Sequence, residues 1–329
     1  MRRLSIRHTI LDWTARGAVS DARAALELAG VLPGAREWRA FLDRLLTWSA
    51  AVAFAAAAVF FIAYNWNELG RFARFGLAQA FVLAALIGYW RLGPDSLAGK
   101  AALLAGSIFL GALLALFGQV YQTGADTWEL FANWAALILP WVLVGRFAGL
   151  WMLWIALLNI AIVFYYRVFP GLFGTLVHAD GQLWTLFVLN TAALAAWELA
   201  AGRIAWLNER WAPRLLAMAS GGLITVLMLE AILGALGIHR ERSSLAPFLV
   251  YPVWLATAYA VYRGRLRDVF VLAGGCLSVI VVVSAFLGKL LLDRSGDTAA
   301  SFLLIALVVI AMAAVSGWWL KQLAREVRA

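Results

Sequence analysis

Few residues in this chain are equipped for acid–base, nucleophilic or metal chemistry. Its three histidines, His8, His178 and His239, and its single cysteine, Cys276, stand far apart in 329 residues. A metal centre or a catalytic triad needs such groups to converge. No glycine-rich loop ends in Lys-Ser or Lys-Thr, so no phosphate-cradling loop is expected. One cysteine cannot form an internal disulfide. No cofactor, metal site or catalytic residue is therefore expected.

What remains are carboxylates, amides and aromatic rings in two short clusters, Tyr64-Asn65-Trp66-Asn67-Glu68 and Gln119-Val120-Tyr121-Gln122-Thr123-Gly124-Ala125-Asp126. Carboxylates, amides and the rings of Tyr64, Trp66 and Tyr121 around tight turns can hold a sugar, a peptide end or a cation. The same residues also make two well-hydrogen-bonded interfacial turns, and both readings stand. Glu230 lies inside an apolar run, between Leu227-Met228-Leu229 and Ala231-Ile232. A carboxyl at such depth is costly, so it is a candidate for proton titration or cation coordination, or else is hydrogen-bonded to a neighbouring helix. Glu198, close to Gly202 and Arg203, reads as a snorkelling or paired interface residue. Gln79, Asn159 and Asn190 read as amides that bridge helices.

The elements that must position these residues are apolar runs. Hydrophobic residues make up 64% of the chain and charged residues 14%, with a mean hydropathy of +0.85. Such a composition cannot be divided into the core and surface of a water-soluble globule. A spanning helix takes about 20 apolar residues. Candidate spans cover 45–64, 72–90, 101–120, 128–145, 148–166, 183–201, 214–237, 246–262, 269–288 and 300–320. Stretches such as 52–63 and 303–315 are apolar on every side, which fits helices and not the alternation of a barrel strand. The expected fold class is an all-α polytopic transmembrane helix bundle of about ten spans, with a short N-terminal helical arm.

Three regions follow: an amphipathic arm over 1–44, a transmembrane domain over 45–320 and a tail over 321–329. In the arm, Ile6, Ile10 and Trp13 share a helical face that Gly17 can end, and Ser20 and Asp21 can cap a second helix that stops at Gly30 and Pro33. The arm is too long and too charged to be the basic region of a secretory signal. Its acids nearly balance its arginines, which argues against a DNA-reading helix-turn-helix, and the net charge of +9 is spread over loop ends in the manner of a membrane topology signal. With the N-terminus inside, 20 of the 27 basic residues fall on the cytoplasmic side, as retention of Lys and Arg predicts. Both termini are expected in the cytoplasm, which brings Asn65 and Gln119 to one external face. The narrowest division lies at 145–148. Most of the tryptophans sit near span ends, as belt residues do, and the glycines within the spans read as close-packing sites. Arginine and alanine dominate in the manner of a GC-rich bacterial genome, so the inner membrane is the expected location.

The Gly17–Ser20 turn, the Ala63-Tyr64-Asn65-Trp66 span end, and Phe117-Gly118-Gln119-Val120-Tyr121-Gln122 followed by Trp134 and Leu139-Pro140 resemble the prokaryotic membrane family called domain of unknown function 2157. The resemblance covers about residues 5–170. It implies an integral membrane protein and supplies no catalytic residue. Three functions remain in competition. The first is a non-enzymatic sensor or scaffold binding a small molecule or protein at the external face, with the lipid bilayer as its surroundings and no nucleic acid. The second is a ten-helix transporter of a small solute or of protons using Glu230, although no five-plus-five repeat is visible. The third is an enzyme acting on a lipid-linked substrate through Glu68, for which a second acid and larger loops are wanting.

Overall fold

The computed structural model describes residues 2–65, 68–169, 181–235, 245–292 and 298–328. Twelve α-helices account for most of them, and no strand occurs among the described residues. The chain divides into two compact units between Leu150 and Trp151.

In the N-terminal unit, α1 (Arg2–Ala15) ends at Gly17, whose φ of 73° is open to glycine and strained for other residues. The Asp21 carboxylate accepts from the backbone N–H groups of Arg23 and Ala24 and starts α2 (Ala22–Leu28). Ile10 and Leu26 are the buried side chains of this pair. The third part of the arm is continuous with the first span: α3 (Ala35–Tyr64) runs through residue 44 without a break. Then come α4 (Arg71–Leu92), α5 (Leu97–Tyr121) and α6 (Thr127–Gly145).

Small residues let α3, α4 and α5 approach one another. Ala55, Ala58, Val82 and Ala105 pack around Phe109, which stacks on Phe81 at 5.1 Å between ring centroids. Helix α6 docks on α5 through Trp134. Its indole lies against the Gly111 backbone, where a Cβ would collide with the ring, and its Nε1–H donates to the Ser107 carbonyl at 2.7 Å. The division at 145–148 is real and tight: Arg146 takes a left-handed φ of 49° and buried Phe147 follows, before α7 (Ala148–Val168) begins.

The C-terminal unit continues with α8 (Gly181–Ala201), α9 (Trp211–Ala235), α10 (Ala246–Ala260), α11 (Val269–Leu292) and α12 (Thr298–Arg328). Side-chain hydrogen bonds fix their directions. Asn159 on α7 and Asn190 on α8 exchange amide bonds of 2.6 and 3.4 Å, and Thr191 on α8 meets Ser220 on α9 at 2.6 Å. Trp254 on α10 donates to Ser220 at 2.9 Å, while Ser278 on α11 meets both Thr225 at 2.6 Å and Tyr251 at 2.9 Å. Successive helices therefore alternate in direction, and α9 runs parallel to α11. Hydroxyls and amides bonded in this way satisfy one another where hydrocarbon offers no partner.

Nine of the helices among the described residues are long and apolar enough to cross a bilayer. The remaining run of the expected ten, 246–262, gives a shorter α-helix. At α10, fifteen α-helical residues are extended by a π-helical turn over Val261–Arg265. Its bonds at Tyr251, Trp254 and Tyr262 hold it against its neighbours from the middle of α9 and α11 to the end where Glu198 stands. The apolar residues exposed along α3 and α12, such as Phe60, Leu303 and Ile310, face outward, where lipid surrounds a membrane bundle.

Candidate functional site

The first expected cluster is partly spent on its own turn. The Asn65 side chain donates to the Phe61 carbonyl at 2.9 Å and the backbone N–H of Glu68 donates to the Asn65 carbonyl. Tyr64 is 90% exposed and Glu68 is also exposed. Trp66 and Asn67 lie outside the described residues. In the second cluster, Tyr121 packs on Phe117 at 4.8 Å and on Phe75 at 5.7 Å. Gln122 ends α5 in a left-handed conformation, φ 44°, and Asp126 joins Glu129 in a capping box at the start of α6. Gln119 and Gln122 are exposed. The Phe75–Tyr121 contact, near the start of α4 and at the end of α5, puts the two clusters at one end of the N-terminal unit.

Glu230 is exposed on α9, five residues before its end, and does not line either groove described below. Asn159 and Asn190 are bonded to each other, in keeping with the helix-bridging reading. Three tryptophans depart from the belt reading. Trp134 and Trp254 join helices through their indole N–H groups, and buried Trp197 donates to the Leu207 carbonyl at 3.1 Å. Two glycines also depart from close packing. A Cβ at Gly221 would come within 2.7 Å of the Trp254 ring, but at Gly222 and Gly274 it would meet nothing within 4 Å. Those two border open space.

That space is a groove of about 600 Å³ along α9 and α11. Gly222 and Gly274 line it, Trp254 forms a wall, and the hydroxyls of Thr225 and Ser278 supply polar points. Arg214 and Phe270 stand at one end, with the guanidinium 5.5 Å from the ring centroid. A second groove, about 280 Å³, runs between α8 and α10 and includes Leu194, Ala195, Glu198, Ala258, Tyr262 and Arg265.

Both grooves finish beside an ion-pair network that the sequence revealed only in part. Asp268, 4% exposed, accepts from Arg210 Nη2 at 3.0 Å and from Arg214 Nε at 3.0 Å. It also accepts from the backbone N–H of Phe270 at 3.1 Å, at the start of α11. Arg210 reaches across to Glu198 Oε2 at 2.9 Å, and Tyr262 donates its hydroxyl to Glu198 Oε1 at 2.9 Å. Burial alone would raise the Asp268 pKa. Hydrogen bonds from Arg214 and Arg210, with their positive charges, override it and hold the carboxyl below 3.8. Burial likewise works against the Arg210 charge, but Glu198 and then Asp268 outweigh it and raise its pKa further. Glu198 is thus the paired residue its position suggested. Asp268 carried a signal that could have found it: an acid directly before an apolar run is a helix-start residue.

The family model described as "predicted membrane protein", domain of unknown function 2157, matches residues 11–151. The match ends where the N-terminal unit ends. No curated protein and no solved structure matches the chain.

Proposed function

We propose that this multi-pass membrane protein is a non-enzymatic binding protein of the bacterial inner membrane, with both termini in the cytoplasm, and that the groove along α9 and α11 takes a small apolar or amphiphilic molecule. The observation that carries this reading is the pair of open glycines. Glycine in a helix interior costs up to about 1 kcal/mol relative to alanine, and Gly222 and Gly274 allow no close contact in return. What they preserve is the groove, whose volume of about 600 Å³ falls in the range of small-molecule sites. Orientation is supported by charge. In the C-terminal unit Arg203, Arg210, Arg214, Arg263, Arg265 and Arg267 gather at one end, opposite Arg167 and Lys289, and the arginine-rich end is the cytoplasmic one.

The test is organic extraction of the purified protein followed by mass spectrometry. A bound species is expected in the wild type and strongly depleted in a Gly222→Leu/Gly274→Leu double variant, which fills the groove from two positions where a Cβ meets no neighbour. Identical extracts from two folded proteins would defeat the reading.

A second reading keeps the external face as a ligand or partner surface used for sensing, and the exposure of Tyr64, Glu68, Gln119 and Gln122 at the same end of the N-terminal unit favours it. Replacement of Glu68 and Tyr64 by Ala should then abolish capture of a periplasmic ligand without altering the melting temperature. A transporter working through Glu230 rests on one exposed carboxylate in an apolar helix. Unchanged solute or proton flux in Glu230→Gln would remove that alternative.

A further inference from the structure

We propose that the separate groove between α8 and α10 is a binding site for an anionic phospholipid, with an acyl chain along the groove and the phosphate held by Arg265. The commitment to a lipid rests on the shape of the groove, and the commitment to an anionic one rests on a charge balance at its end.

The lining is mostly apolar, with Trp254, Ala258 and Val261 on one side and Leu194, Ala195 and Leu199 on the other, Thr191 and Thr257 as polar points between them and Glu198 towards one end. From Trp254 to Val261 the wall rises about 10 Å at the α-helical rise per residue, about a third of a hydrocarbon core, and the π-helical turn extends it to Leu266. Ala195 is exposed and Ala258 half-buried, so the groove is open along its side and not a closed cavity. A flexible chain already in the bilayer enters such a channel laterally.

At the polar end the charges nearly cancel. Glu198 lines the groove, but its two oxygens are taken by Tyr262 and Arg210. Asp268 is shared by Arg210 and Arg214. Two carboxylates thus face two guanidiniums. Arg263 is drawn to Glu326 at 2.8 Å. Arg265 is exposed, lines the groove and has no ion pair among the described residues. Among the residues that line this groove it is the unpaired positive charge.

The π-helical turn over Val261–Arg265 produces this arrangement. In an α-helix, residues three apart share a face; in the wider π turn they diverge. Tyr262 accordingly points inward and is 4% exposed, while Arg265 points out. An unpaired arginine lining an apolar channel between helices fits a phosphodiester with its tail below.

The full-length protein is placed in nanodiscs holding equal amounts of phosphatidylglycerol and phosphatidylcholine, and retained lipid is counted by native mass spectrometry after release from the disc. Wild type is expected to retain phosphatidylglycerol selectively. Arg265→Gln should cut that selectivity about fivefold, the effect of one interfacial basic residue. Ala195→Phe, which fills the channel, should reduce retention of both lipids. Arg203→Gln removes an exposed arginine at the same end that does not line the groove, and it should leave selectivity unchanged. Selectivity equal in wild type and Arg265→Gln, or lost equally in Arg203→Gln, would overturn the site in favour of general surface charge. Melting curves on each variant confirm that the bundle is folded. Because all three variants lie outside the α9–α11 groove, failure here leaves the extraction test of that groove intact.

Discussion

Asp268 holds three duties in one carboxylate. It starts α11, binds Arg214 and binds Arg210, which also holds Glu198. Asp268→Ala removes these bonds and the helix start together but leaves guanidiniums that water partly reaches, so it should destabilise the protein by about 1–3 kcal/mol. The pH dependence has a definite sign. The folded carboxyl titrates below 3.8, so near that pH the unfolded chain binds more protons than the folded one. The contribution of Asp268 is complete above its unfolded value and is lost as pH falls through its lower, folded value. Melting temperatures of detergent-solubilised wild type and Asp268→Asn should therefore differ most above the unfolded value of 3.8 and draw together as pH falls below it. A constant gap across that range would show that the carboxylate charge is not what stabilises the network.

Two neighbouring glycines make the matching prediction for the elements. Gly221 lies against the rigid Trp254 ring and Gly222 borders open space. Gly221→Ala should lower the melting temperature, with overpacking costing about 1–3 kcal/mol, whereas Gly222→Ala should be neutral or stabilising by up to about 1 kcal/mol. Helix α6 offers an independent case. Gly111→Leu collides with Trp134 and should loosen α5 from α6. Trp134→Ala should then restore part of the loss, and a double-mutant cycle on thermal unfolding reads that coupling. If the two substitutions prove additive, the indole is not the contact that sets the spacing of α5 and α6.

For the whole molecule, the expected topology places reporter fusions after Gly124 outside and after Gly264 inside. A shared side would mean that α10, the shortest of the apolar helices, does not cross. Alternation of α8, α9, α10 and α11 through Ser220 and Ser278 predicts that it does. Composition and span order were legible because hydrocarbon imposes its demand on every residue of a span at once. The candidate site was less legible. Asn65 and Asp126 read equally as ligand groups and as turn residues, and in the fold they make bonds at helix ends, with Phe61 and Glu129. In sequence a cap and a binding group are the same residue type; only the position of the neighbouring backbone separates them.

By itself the sequence determined the membrane and the helices, and it narrowed the cap of the second arm helix to Ser20 or Asp21 and the weakest division between spans to 145–148. Those are properties of contiguous residues, set by hydropathy and local backbone preference. The tertiary structure decided which polar groups meet: Asn159 with Asn190, Glu198 with Arg210 across twelve residues, Asp268 with Arg214 across fifty-four. It also decided that Gly222 opens a groove while Gly221 closes on a ring. The physical reason is that hydrocarbon rewards any satisfied polar pair, and the partner that satisfies it is fixed by the packing of whole helices and not by spacing along the chain.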